Sequence, residues 1–106
     1  MSNVTAVTDA TFAAEVLSSP QPVLVDYWAD WCAPCRQLTP VIEELAKQYD
    51  GVKFVSLDTQ VNTAVAANQD VRTLPTIHFF VNGELVNAIV GSVTKMKLRQ
   101  VLDSLV

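Results

Sequence analysis

The chain has 106 residues, 50% of them apolar, with a mean hydropathy of +0.27, enough to bury one hydrophobic core and to be read as one domain over residues 1–106. Seven Lys and Arg against eleven Asp and Glu give a formal net charge of −4, the wrong sign for a nucleic-acid partner, and the low charged fraction argues against disorder. No apolar run approaches the roughly 18 residues of a membrane span, and Met1 to Asp9 has no basic stretch leading into an apolar one, so a cytoplasmic protein with no membrane partner is expected.

Val4 to Val7 is a candidate strand. Phe12, Ala13, Val16 and Leu17 follow with helical spacing, which predicts a short helix capped by Thr8 or Asp9 and stopped before Pro20. Val23 to Ala29 is apolar and aromatic without alternation, broken only by Asp26, and suits a strand covered on both faces. From Pro34, the residues Leu38, Val41, Ile42, Leu45 and Tyr49 mark an amphipathic helix ending near Asp50 and Gly51. Pro40 lies inside it and predicts a kink near Arg36 to Pro40, with two separate helices as the alternative.

Lys53 to Leu57 is a second buried strand, Val61 to Asn68 a weak helix with Val61, Ala64 and Val65 on one face, and Thr76 to Val81 a third buried strand. Asn82 and Gly83 tolerate the positive φ of a type I′ turn, so Leu85 to Val90 is expected to pair antiparallel with Thr76 to Val81. A last helix follows Gly91, capped by Ser92 or Thr94, with Leu98, Val101, Leu102 and Leu105 as its apolar face. The order β α β α β α β β α places helices on both faces of a mixed sheet, an α/β fold.

The chemistry concentrates in Trp31-Cys32-Ala33-Pro34-Cys35, past a strand and opening a helix. Residues three apart on a helix have Cβ atoms about 5 to 6 Å apart, so a modest tightening closes a disulfide that forms and breaks without refolding. Pro34 suits the first helical turn because it has no amide hydrogen to leave unpaired. At the helix start Cys32 meets unpaired N–H groups and the positive end of the dipole, which lower a thiol pKa and mark it as the nucleophile. Cys35, one turn inside, is placed to attack a mixed disulfide from within. A structural staple, half of a zinc site and two inert thiols are the competing readings; zinc would need two further ligands, with His78 the only other soft donor, and no metal is expected.

Asp26, buried without a cation, is expected to have a raised pKa and to take the Cys35 proton. Leu74-Pro75-Thr76 precedes the third strand, where proline is allowed whether cis or trans. Trp28 reads as core, Trp31 as exposed, His78 as structural and Arg36 as a solvated neighbour of the dithiol.

These motifs resemble the thioredoxin family along essentially the whole chain: the strand with Asp26, the Trp-Cys-x-Pro-Cys block, Pro40, Leu74-Pro75-Thr76, Asn82-Gly83 and Gly91. The resemblance implies a thioredoxin fold, a central mixed five-stranded sheet flanked by four helices. It also implies protein-disulfide reduction in which Cys32 attacks, Cys35 resolves and Asp26 assists proton transfer. Pro75 would be cis and pack over the dithiol, and the extended backbone of Thr73 and Leu74 would bind a substrate strand. Trp31, Ala33, Pro34, Pro75 and Gly91 would line a shallow groove.

Thioredoxin reductase, drawing on NADPH, would be the electron donor, disulfide-containing proteins the substrates, and the protein would carry no cofactor. A monomer is expected. Two positions depart from the family pattern: Ala33 stands where Gly is common, which bears on redox potential and partner choice, and Ser56 where Lys often stands beside the buried Asp, which would leave the Asp26 pKa higher still. An oxidase or isomerase, and a binding module using the Trp31, Leu74, Pro75 and Gly91 surface, are the other functional readings.

Overall fold

A computed structural model describes residues 3–106. Its five strands are β1 (Val4–Ala6), β2 (Val23–Trp28), β3 (Lys53–Asp58), β4 (Thr76–Val81) and β5 (Glu84–Val90). They form one sheet in the order β1-β3-β2-β4-β5. The pairs β1 with β3 and β2 with β3 are parallel, and β4 runs antiparallel to both β2 and β5. The helices are α1 (Ala33–Gln48), α2 (Thr63–Asn68) and α3 (Lys95–Leu105), with a π-helical turn at Ala13–Leu17 as the fourth.

The central strand β2 is buried on both faces, as its unbroken apolar run requires. Leu24 packs on one face with Ile42 and Leu45 of α1, Phe54, Phe79, and Leu98 and Leu102 of α3. On the other, Val23, Val25 and Tyr27 join Val7, Phe12 and Val16 near the π-helical turn, together with Val65 of α2 and Phe80. Each large side chain buried this way contributes roughly 1.5 to 3 kcal/mol, so the two layers hold the sheet between them. His78 belongs to the second layer: the Tyr27 hydroxyl lies 3.1 Å from its Nδ1, the rings stack edge to face, and the histidine is structural there.

Helix α1 runs unbroken through Pro40, which removes the alternative of two separate helices. Thr94 rather than Ser92 caps α3, its Oγ1 accepting from the Lys97 N–H at 3.1 Å.

Four local expectations are corrected. The first helix is not an α-helix capped by Thr8 or Asp9: it is π-helical, with the Ser18 N–H reaching the Ala13 carbonyl. Thr8 and Thr11 instead bond each other's backbone N–H groups, closing a turn of their own. Asp9 caps a different helix, accepting the Ala64 and Val65 N–H groups at the start of α2. That helix begins at Thr63, after Asn62 as cap, so Val61 lies outside it and is 75% exposed. Trp28 is half-buried rather than core, because it ends β2 where the strand leaves the packed layer.

The β4–β5 hairpin turns on Asn82 at φ +52° and Gly83 at φ +79°. A Cβ on Gly83 would lie 2.6 Å from the Leu17 carbonyl oxygen, whereas one on Gly91, at φ +89°, would meet nothing within 4 Å. The two glycines therefore separate conformational cost from crowding. Gly91→Ala is expected to lose about 1 to 2 kcal/mol, the left-handed penalty alone. Gly83→Ala should lose measurably more, because backbone must also move; equal losses in urea denaturation would refute the crowding.

Candidate active site

The dithiol sits at the junction of β2 and α1. Beyond Trp28 the chain turns, with the Cys32 N–H bonded to the Ala29 carbonyl at 3.1 Å, and the helix opens with the Arg36 N–H on the Cys32 carbonyl at 3.2 Å. Cys32 is the N-cap residue in extended geometry, and its Sγ accepts the Cys35 N–H at 3.2 Å. A sulfur there takes the place of the usual capping oxygen, and the N–H that it accepts and the helix dipole both favour its anion. Pro34 lies in the first turn, as its missing amide hydrogen suits. The two sulfurs are joined in a disulfide with the Cα atoms 5.3 Å apart.

Cys32 and Cys35 are 3% and 2% exposed, while Trp31 beside them is 69% exposed and Ala33 and Pro34 are also at the surface. Arg36 is exposed too, its guanidinium donating to the Asp30 carbonyl. The Leu74–Pro75 peptide is cis. The chain bends at Thr73 to Pro75, with the Thr76 hydroxyl donating to the Thr73 carbonyl. The Gly91 N–H donates to the Pro75 carbonyl at 2.8 Å, tying the end of β5 to the start of β4.

Two hollows adjoin this surface. Trp31 and Leu74 line one of about 340 Å³ together with Ala67, Val71 and Arg72. Pro34 and Pro75 line another of about 120 Å³ with Leu38 and Val93. Four residues expected to contact a substrate are thus brought together in pairs. Thr73 and Ala33 are exposed, and Gly91 is half-buried.

Asp26 lies on the inner side of the dithiol. It is 4% exposed, and its Oδ1 has no hydrogen-bond partner among the described residues. Burial raises its carboxyl to about 7. Asp26 and Cys35 line one cavity of about 240 Å³, with Trp28 and Ser56 also in its wall. Ser56 is the register partner of Asp26 on β3, so a hydroxyl stands directly across from the carboxyl. Thr39 and Glu43 also face this cavity and were missed in the sequence. Their spacing of four and eight residues from Cys35 puts them along the same side of α1, which was the available signal.

A disulfide capping a helix N-terminus, with a cis proline nearby and a buried carboxyl behind, defines a thiol-disulfide oxidoreductase. The family model described as thioredoxin matches residues 3–104. Thioredoxin 1 of Synechococcus elongatus is 50% identical over 104 residues, covering 97% of both chains. Thioredoxin 1 of a Nostoc species is 47% identical over the same shares. A chloroplastic M-type thioredoxin of Brassica napus is 43% identical over 98 residues, 92% of this chain and 55% of that one. The chain belongs to the thioredoxin family, whose activity is the reduction of protein disulfides.

The raised Asp26 carboxyl has a consequence for stability. Between the ordinary carboxylate value of 3.8 and about 7 the folded state holds a proton that the unfolded chain has lost, so stability falls as pH rises through that window. Asp26→Asn removes this dependence. The variant is expected to gain up to about 4 kcal/mol relative to the parent at pH 8, and to lose that advantage below about pH 4. Parallel urea curves with a pH-independent difference would show that Asp26 is ionised in the fold.

Proposed function

We propose that residues 1–106 act as one domain that reduces protein disulfides, with Cys32 as the nucleophile. The Cys32 thiolate attacks one sulfur of the substrate disulfide, forming a mixed disulfide and releasing the other substrate sulfur as a thiolate. Cys35 then gives its proton to Asp26 and attacks the Cys32 sulfur, which frees the second substrate thiolate and closes the Cys32–Cys35 disulfide. Two electrons pass to the substrate. The observation that carries this assignment is the Cys35 N–H bond to Cys32 Sγ at the helix start, because it stabilises negative charge on Cys32. The inner placement of Cys35 beside Asp26 supports its resolving role.

Substrate would dock across Trp31, Ala33, Pro34 and the Thr73, Leu74, Pro75 bend, with Gly91 holding that bend in place. The exposure of Trp31 and the paired hollows support an apolar contact surface. The protein would work as a monomer in the cytoplasm, where a reducing environment suits a dithiol donor. A thioredoxin reductase would return the electrons.

Cys35→Ser tests the order of attack. The variant should accumulate a mixed disulfide through Cys32 with a disulfide-bonded model protein, seen as a mass increase that a reductant reverses. The absence of any adduct would reject the assignment. Asp26→Asn should slow reduction at neutral pH while leaving the fold intact. A rate unchanged from about pH 6 to about pH 9 would remove Asp26 from the proton transfer.

A further inference from the structure

The cavity behind the dithiol is half open to solvent and is bounded by two facing rows. Cys35, Thr39 and Glu43 line it from α1, while Asp26 of β2 and its register partner Ser56 of β3 line it from the sheet. Its walls are of two kinds. The carboxylates of Asp26 and Glu43 and the hydroxyls of Ser56 and Thr39 supply acceptors, and Val4, Ile42 and the Trp28 ring supply apolar surface. At about 240 Å³ the space exceeds several times the roughly 30 Å³ share of one water. Asp26 lines it with a carboxyl that is 4% exposed, and its Oδ1 has no hydrogen-bond partner among the described residues.

Charge and geometry narrow what fits. Two carboxyl groups against the single guanidinium of Arg36 in the wall disfavour an anion. No group of three or more His, Cys, Asp or Glu among the described residues is placed to hold a metal ion. A quaternary ammonium has no N–H to offer the Asp26 carboxylate. A primary ammonium has three, and a short alkyl chain matches the apolar walls, where the Trp28 ring also attracts a cation.

We propose that this cavity binds a short primary alkylammonium ion, its N–H groups on the Asp26 carboxylate and the Ser56 hydroxyl and its chain against Val4, Ile42 and Trp28. The ion binds ionised Asp26 in preference to the protonated acid. By linkage it lowers the Asp26 titration midpoint and holds the carboxylate in its proton-accepting form at lower pH. The other charged or titratable groups in the wall all come from α1: Arg36, whose guanidinium donates to the Asp30 carbonyl, Glu43, and Cys35, which is held in the disulfide. From β3 and β1 the wall receives Ser56 and Val4, which carry no charge.

The test follows the Asp26 carboxyl carbon by NMR through a pH titration of the oxidised protein with butylammonium chloride. Sodium chloride and tetramethylammonium chloride at equal ionic strength are the controls. At ten times its dissociation constant, butylammonium should lower the midpoint by about one pH unit, a tenfold loss of proton affinity, and the effect should saturate. The methyl resonances of Val4 and Ile42 should shift with the same dissociation constant. Ser56→Leu, which fills the cavity, should abolish both effects. Asp26→Asn keeps the cavity and removes the charge, and should weaken the methyl response at least tenfold. Equal midpoints in all three salts, unmoved methyl resonances, or undiminished binding to Asp26→Asn would overturn the proposal. No disulfide substrate is present, so the outcome is independent of the roles proposed for Cys32, Cys35 and Asp26 in reduction.

Discussion

The bond from the Cys35 N–H to Cys32 Sγ joins structure to chemistry in this protein. A helix start leaves N–H groups without partners, and here a sulfur rather than a side-chain oxygen accepts one of them. The 16-residue helix α1 is therefore anchored at its first turn by the atom that exchanges electrons. When the disulfide opens, the same N–H remains available to a Cys32 thiolate, so the cap persists and gains charge assistance. A donor that can serve the sulfur in either redox state gives the fold little reason to change between them. A disulfide placed between separate loops would have no such shared partner, and opening it would release backbone.

Behind that cap the sheet accepts an unfavourable element. Asp26 is held in a strand with a neighbour on each side, β3 and β4, so its backbone is fixed by ladders that do not depend on its side chain. Leu24 on the same face and Val25 and Tyr27 on the other supply the burial that offsets the carboxyl. Net stability is typically only about 5 to 15 kcal/mol, so a desolvated carboxyl is a sizeable fraction of it. Ser56 across the ladder offers a hydroxyl without a charge, which leaves desolvation as the cause of the raised carboxyl. The resulting midpoint near neutrality is the range in which a proton acceptor for a thiol works best.

Much of the fold was legible in the sequence because the signals were local. The unbroken run from Val23 forms the central strand, Asn82-Gly83 takes two positive φ values, and Cys32 with Cys35 falls on the first turn of a helix, as the spacing required. What escaped reading depends on contacts far apart in the chain. Asp9 looks like the cap of the segment that follows it, yet its carboxylate is used by N–H groups of Ala64 and Val65. Val61 continues the apolar pattern of α2 and still lies outside, because Asn62 begins the helix after it. Trp28 is as apolar as its neighbours, but a strand end is not a strand centre. The cavity was hidden for the same reason: its wall is shared by α1 and three strands, and no single segment carries its pattern.

Ala33 shows how one methyl group acts differently on the two sides of the dithiol. Its side chain is exposed at the first residue of α1, so it does not press on the buried cysteines from within. Its effect on the protein is conformational: alanine favours helical geometry over glycine by about 1 kcal/mol in a helix interior, and the same preference stiffens the turn that holds the two sulfurs together. Its outward effect is steric, since the methyl adds bulk to the surface beside the exposed Trp31 and Pro34. The inner side, with Cys35 and Asp26, is untouched by either effect. Asp26 and Ala33 thereby lie on separate sides of one disulfide, and a substitution at residue 33 can alter the outer surface while leaving the inner one in place.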